Sequence, residues 1–375
     1  MATQATNVEV QGEVAPGFEA VRDTFLENFS LFPEVGASVA VMIDGELVVD
    51  LWAGRATDER AWERDTLVNV WSSTKGATAL AAHMLADRGL LDFEAPVAQY
   101  WPEFAAAGKA SVPVRYLLTH QAGLSAMPEG TNNASMFDWD HMVQTLAVSA
   151  PQWEPGSQHQ YHALTFGWLV GEVVRRVSGK TPGEFIRDEI AGPLGIDFEV
   201  GLPASEDGRV ASILHDPSRD PVIPEVDWNS RACRVSQIPA ANGHANARSL
   251  ATMYGALGLG GELNGVRLLS PEAVERAGVL QVDGLESSGF HMYRTLGFMR
   301  RFAQNGDVRP ASTWGHAGAG GSQGFVDPDR RLGFGYAMSQ MLLAKPEEHR
   351  PSSGGMDPRG QRLVRLLYAA LEARG

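Results

Sequence analysis

Val70-Trp71-Ser72-Ser73-Thr74-Lys75-Gly76 runs directly into Ala77-Thr78-Ala79-Leu80-Ala81-Ala82-His83-Met84-Leu85. The second segment is rich in helix formers and sets Leu80, Met84 and Leu85 at helical spacing, which predicts a helix with Ser72 at its N-terminus. Free N–H groups and the dipole at that end favour an alkoxide or an oxyanion. Lys75, three residues on, falls on the same face and within reach of Ser72. The helix N-terminus and burial both disfavour an ammonium there, so its pKa is expected to fall until a neutral amine can accept a proton. Serine with a neutral lysine is a nucleophile with its base. The same pattern also describes an N-cap serine followed by a solvated lysine, and the rest of the chain has to decide between the two.

On the N-terminal side, Phe18, Val21, Phe25, Leu26 and Phe29 form an apolar stripe at helical spacing. Two β-rich runs follow, Gly36 to Ile43 and Glu46 to Gly54, and the Asp44-Gly45 between them reads as the tight turn of a hairpin. A helix followed by an antiparallel hairpin predicts a sheet with helices on its faces, without the βαβ rhythm of a dinucleotide fold. Beyond Gly76 the strand signals thin out to about residue 250. Helices are expected over 114–120, 164–177 and 182–190. Sheet signals return at Thr295 to Met299, Gly324 to Asp327 and Leu332 to Met338, and Leu363, Val364, Leu366, Leu367, Ala370 and Leu371 give the last helix a broad apolar face. The predicted organisation is two lobes: a discontinuous α/β sheet lobe from 1–75 and 250–375, and a mainly helical lobe over 76–249, with the site between them. Pocket walls are assigned to the loops over 127–137 and 202–242.

Composition narrows the partners. Forty-five acidic against thirty-one basic side chains leave a net charge of −14, which disfavours nucleic acid and anionic membranes, since both are recognised through basic patches. The first ten residues carry neither a basic start nor an apolar run, so a cytoplasmic protein is expected. Cys233 is the single cysteine and cannot form an intrachain disulfide or a thiolate cluster; it reads as a small buried hydrophobe.

Two further segments carry chemistry. Tyr161 lies in Gln158-His159-Gln160-Tyr161-His162-Ala163-Leu164, at the turn before an apolar helix. It is placed to donate a hydrogen bond or, with a depressed pKa beside Lys75, to act as a general base. His159 and His162 lack a Glu at a recognised ligand spacing, so no metal is assigned and both are read as solvated loop residues. The other segment is Trp314-Gly315-His316-Ala317-Gly318-Ala319-Gly320-Gly321-Ser322-Gln323-Gly324-Phe325-Val326. Its glycines allow backbone to approach a ligand, and the strand offers N–H groups to an oxyanion. Gly320 to Gly324 also spells G-x-S-x-G, but that elbow needs a strand before the serine and a helix after it, the reverse of what stands here.

Ser72-x-x-Lys75, Tyr161 and His316-Ala317-Gly318, together with Leu117-Leu118-Thr119-His120-Gln121-Ala122-Gly123-Leu124 and Val177-Ser178-Gly179-Lys180, resemble the serine β-lactamase-like superfamily, with the family VIII carboxylesterases as the nearest branch. The resemblance covers about residues 18 to 370. It implies a two-lobe fold related to penicillin-binding transpeptidases, with Ser72 as acyl-forming nucleophile, Lys75 as proton acceptor and Tyr161 as the partner that shuttles the proton. It also implies an oxyanion hole from the backbone of Ser72 and Ala319, and a substrate wall from His316, Ala317, Gly318 and Trp314. No cofactor is called for. The β-lactamase pattern has Tyr-x-Asn and Lys-Thr-Gly where this chain has Tyr161-His162-Ala163 and His316-Ala317-Gly318, so the expected substrate is a small uncharged ester. β-Lactam, amide or D-peptide hydrolysis and acyl transfer are the alternatives within enzymes, and an inert scaffold is the alternative outside them. The number of subunits is left open.

Overall fold

The computed structural model describes residues 8–215, 226–287, 289–300, 307–342 and 357–374. Part of the expected pocket wall, 216–225, therefore lies outside the described residues. Nine strands form one antiparallel sheet: β1 (Gln11–Val14), β2 (Gly36–Ile43), β3 (Glu46–Gly54), β4 (Val282–Leu285), β5 (His291–Arg294), β6 (Met299–Arg300), β7 (Trp314–Ala317), β8 (Gln323–Asp327) and β9 (Leu332–Met338). Their spatial order is β1-β3-β2-β9-β8-β7-β6-β5-β4. The pairing of β2 with β9, from Ile43 opposite Leu332 to Ala37 opposite Met338, joins the two ends of the chain.

Five helices matter for the site: α1 (Glu19–Leu31), α2 (Thr74–Asp87), α3 (Thr165–Ser178), α4 (Ala247–Gly258) and α5 (Pro358–Ala373). Side chains alternate between the two faces of the sheet, and its residues are sorted by size accordingly. Gly333 and Gly335 face α4, and a Cβ on Gly335 would lie 2.0 Å from Ala247 O, so the helix backbone rests directly on the strand. The opposite face carries Phe325 and Phe334, stacked at 4.9 Å, and Tyr336, over which the Arg359 guanidinium of α5 lies. α1 joins α5 there, with Asn28 Nδ2 donating to Arg359 O at 3.3 Å. Leu26, expected in the buried stripe of α1, is 42% exposed, while Phe18, Val21 and Phe25 are buried.

α2 is buried on every side from Thr74 to Leu85, which marks it as the central helix. α3 packs along it. One expected strand is corrected. Thr295 to Met299 is mostly the turn between β5 and β6, closed by Thr295 N–H donating to Phe298 O, and Gly297 sits at a φ of 90°. The strand proper, His291–Arg294, precedes it and carries a buried arginine to the inside. Among the described residues no helix is long and apolar enough to cross a membrane.

Candidate active site

A short strand, Val68–Asn69, delivers the chain to Ser72. It pairs with His244–Ala245, and Val70 N–H donates to Gly243 O at 2.8 Å. Trp71 then turns the backbone sharply at a φ of 49°, an arrangement costing about 1–3 kcal/mol for a residue with a Cβ. Its buried indole, with the Trp228 ring 4.5 Å away, and its N–H donating to Asn69 Oδ1 at 2.8 Å hold that turn. Ser72 follows in the 3-10 turn Trp71–Ser73 that opens into α2. The expected helix N-terminus is thus sharpened by one tighter turn.

Lys75 is fully buried. Its Nζ contacts Ala163 O at 2.7 Å, Ala240 O at 2.9 Å and Ser72 Oγ at 3.1 Å. A neutral amine has two N–H donors and one lone pair. When the amine is neutral the two carbonyls take both donors and the lone pair is left for the Ser72 hydroxyl; as an ammonium it donates to all three. Burial, and then the positive charge of Arg294, hold the Lys75 pKa well below its ordinary value, which eases loss of its proton.

Tyr161 is fixed by the chain around it. His120 C=O accepts from Gln160 N–H at 3.1 Å and His120 Nδ1 accepts from His162 N–H at 3.0 Å, so the tyrosine is clasped on both sides. His162 Nε2 accepts from Leu124 N–H at 3.1 Å and its Nδ1 lies 2.7 Å from Gln160 O, which assigns the proton to Nδ1. His159 and His162, read from sequence as solvated, are both buried, and burial pushes His162 down to about 3. His162 braces the tyrosine loop through these bonds, while His159 has Nδ1 3.9 Å from Glu286 Oε1. The Tyr161 ring lies 4.8 Å from Lys75 Nζ. Its hydroxyl has no hydrogen bond of ordinary geometry among the described residues, although Ser72 is near enough to act on it. Burial outweighs Ser72 and Arg294 and raises the phenol above its usual range. The depressed pKa expected from the sequence is not found in the resting site, where Tyr161 is a neutral hydroxyl.

β7 closes the site. Ser322 Oγ donates to Val70 O at 2.6 Å, and a Cβ on Gly318 would lie 2.4 Å from the same carbonyl and 2.9 Å from Trp71 Cβ. Only glycine lets the strand end approach the Ser72 turn this closely. Ser72 and Ala319 each lie within the first two residues of a 3-10 turn, where N–H groups lack a partner inside the turn. His316 is buried, with its ring 6.3 Å from that of Tyr161; burial above all holds the imidazole pKa well below its ordinary value. Ala317 and Ala319 remain half-buried at the site, whereas Trp314 does not reach it. Trp314 is buried against Phe298 at 4.7 Å, in the core.

Ser322 is a tie and not a second nucleophile, because its hydroxyl is fully buried and spent on Val70 O and Ser73 Oγ. Ser322→Ala is expected to cost about 1 kcal/mol of stability. Its kcat should stay within about tenfold of the parent, a modest loss for one positioning hydrogen bond. Urea unfolding and steady-state assay of the same preparation check both figures.

Sequence reasoning missed Arg294, which is 1% exposed, ion-paired with Glu286 and 5.3 Å from the Tyr161 ring centre. It also missed the two carbonyls that hold Lys75, contributed from 88 and 165 residues away. The family profile described as Beta-lactamase matches residues 27–353. Esterase/beta-lactamase LipL of Mycobacterium tuberculosis is 38% identical over 372 residues, covering 89% of this chain and 83% of LipL. The crystal structure of a family VIII carboxylesterase superposes with a TM-score of 0.89 at 42% identity, covering 96% of this chain and 100% of that one. A penicillin-binding protein homologue from Caulobacter crescentus gives a TM-score of 0.87 at 38% identity over 96% of this chain and 100% of that one. With a profile across most of its length and relatives this similar over both chains, the protein belongs to the Beta-lactamase family.

Proposed function

We propose that this protein hydrolyses small, mostly uncharged carboxylic esters through an acyl-Ser72 intermediate. It is a serine hydrolase of carboxylesterase type, as similar proteins named esterase and carboxylesterase support. The observation that carries the reading is the Lys75 amine, with two carbonyls on its donors and Ser72 Oγ on its remaining vertex at 3.1 Å. Lys75 takes the Ser72 proton as Oγ attacks the ester carbonyl. The oxyanion falls to the N–H groups of Ser72 and Ala319. Tyr161 passes the proton to the departing alkoxide, the C–O bond breaks, and the acyl group stays on Ser72. Water then enters along the same proton route in reverse, and the acid leaves with Ser72 restored.

The substrate class follows from the charge on the wall. A penicillin or cephalosporin carries a carboxylate, which when desolvated needs a cation or strong donor. His316 is neutral and Ala317 supplies a methyl. Arg231 is paired with Asp207 and Arg248 with Asp50, so neither stands in as the missing cation. LipL carries both activities in its name; the neutral wall favours the ester side here. Steady-state assays with p-nitrophenyl butyrate and nitrocefin are expected to differ in kcat/KM by on the order of 10²-fold or more in favour of the ester, the size of an unpaired buried charge. Comparable values refute the ester assignment, and His316→Lys is expected to raise the lactam rate.

A further inference from the structure

Arg294 ends β5 with its side chain in the interior, 1% exposed. Its Nη2 is ion-paired with Glu286, while Nε and Nη1 have no hydrogen-bond partner among the described residues. A buried arginine kept only for structure normally has its donors satisfied, since each open one carries a desolvation cost. The guanidinium lies instead against the Tyr161 ring, with Cζ 5.3 Å from the centre, and Lys75 Nζ is 4.8 Å from the same centre. The two nitrogenous groups are therefore within about 10 Å of each other across buried protein.

We propose that Arg294 is a positioning residue for the reaction: its guanidinium, held by Glu286 against Tyr161, supplies the fixed positive charge that keeps the Lys75 amine uncharged and ready to take the Ser72 proton. The inference rests on the reading of Ser72 and Lys75 as nucleophile and base. The other titratable groups around Lys75 do not supply that charge. His120, His162 and His316 are buried and neutral, each with its pKa pressed down chiefly by burial. Glu286, with His159 Nδ1 3.9 Å from its Oε1, is committed to Arg294. The Tyr161 phenol is neutral as well. Two like charges no more than about 10 Å apart, at the effective dielectric of a protein interior, shift a proton equilibrium by about one pH unit, an effect that the Glu286 carboxylate offsets in part. Arginine suits the task because its own proton is not lost at any working pH. The same charge also favours a phenolate, so it eases the moment at which Tyr161 hands on the proton.

The test is the pH dependence of kcat/KM for p-nitrophenyl butyrate in the parent, Arg294→Gln, Arg294→Lys and Glu286→Gln. Arg294→Gln is expected to move the acid limb up by about one pH unit, with a loss of about tenfold at a pH below the limb. Arg294→Lys should keep the parent limb, and Glu286→Gln should not raise it, because it leaves the positive charge in place. If Arg294→Gln fails to fold with Glu286 left unpaired, the double variant Arg294→Met/Glu286→Gln removes both charges and should show a smaller rise in the same direction. A folded Arg294→Gln or double variant with an unmoved limb overturns the inference. Turnover that survives Ser72→Ala would instead overturn the reading beneath it, so the two failures are distinguishable.

Discussion

Ser72→Ala is expected to lower kcat for p-nitrophenyl butyrate by on the order of 10⁴-fold or more while leaving the fold intact. On the proposed mechanism the hydroxyl that is lost is the one that forms the acyl bond, and the residual rate is what binding and the oxyanion donors achieve on their own. Ser72 is half-buried at the head of α2, and its Oγ lies 3.1 Å from Lys75 Nζ. Its neighbour Ser73 is fully buried and turned toward His316 O and Ser322 Oγ, so it cannot take over. A fluorophosphonate ester should add its mass once per chain to the parent and not at all to Ser72→Ala. An inert scaffold would show no adduct in either protein. If Ser72→Ala keeps its activity while folded Ser322→Ala is dead, the nucleophile has been assigned to the wrong segment.

The outline of this site was legible because its side chains obey local rules. Ser72 and Lys75 are three apart on one helix, the Asp44-Gly45 turn separates two apolar runs, and the small residues of β7 announce a close approach. What could not be read is whatever depends on chain segments distant in sequence. Ala163 and Ala240 act through their carbonyls, and a carbonyl leaves no mark in the residue type. His120 sits at a φ of 63° with its ring nitrogen on a backbone N–H, so it looked like a connecting phrase and is a clamp. Arg294 was hidden by a register error: the strand was placed over Thr295 to Met299, and the residue just before it was left out of the sheet. His159 and His162, with no ligand spacing around them, read as solvated loop residues, although a histidine with both nitrogens paired, as in His162, is at home in a core.

Lys75→Ala and Tyr161→Phe should each lower kcat by about 10²–10⁴-fold with a modest change in KM, because both groups act on the proton in flight and not on the bound ester. Their pH profiles should differ in a way that assigns the roles. In the parent, activity requires the neutral amine, so kcat/KM should rise with pH as Lys75 loses its proton, at a pH well below the ordinary lysine range because burial and Arg294 disfavour the ammonium. Tyr161→Phe keeps Lys75 and should keep this acid limb at reduced amplitude. Lys75→Ala should lose it. The phenol, raised above its usual range by burial, is protonated throughout the window and contributes no limb of its own there. The double variant should be little worse than either single one, since a relay broken at one link gains nothing from a second break. Losses that multiply in full would show that the two residues act on separate steps. An acid limb that persists in Lys75→Ala and vanishes in Tyr161→Phe would reverse the assignment and make the tyrosine the base.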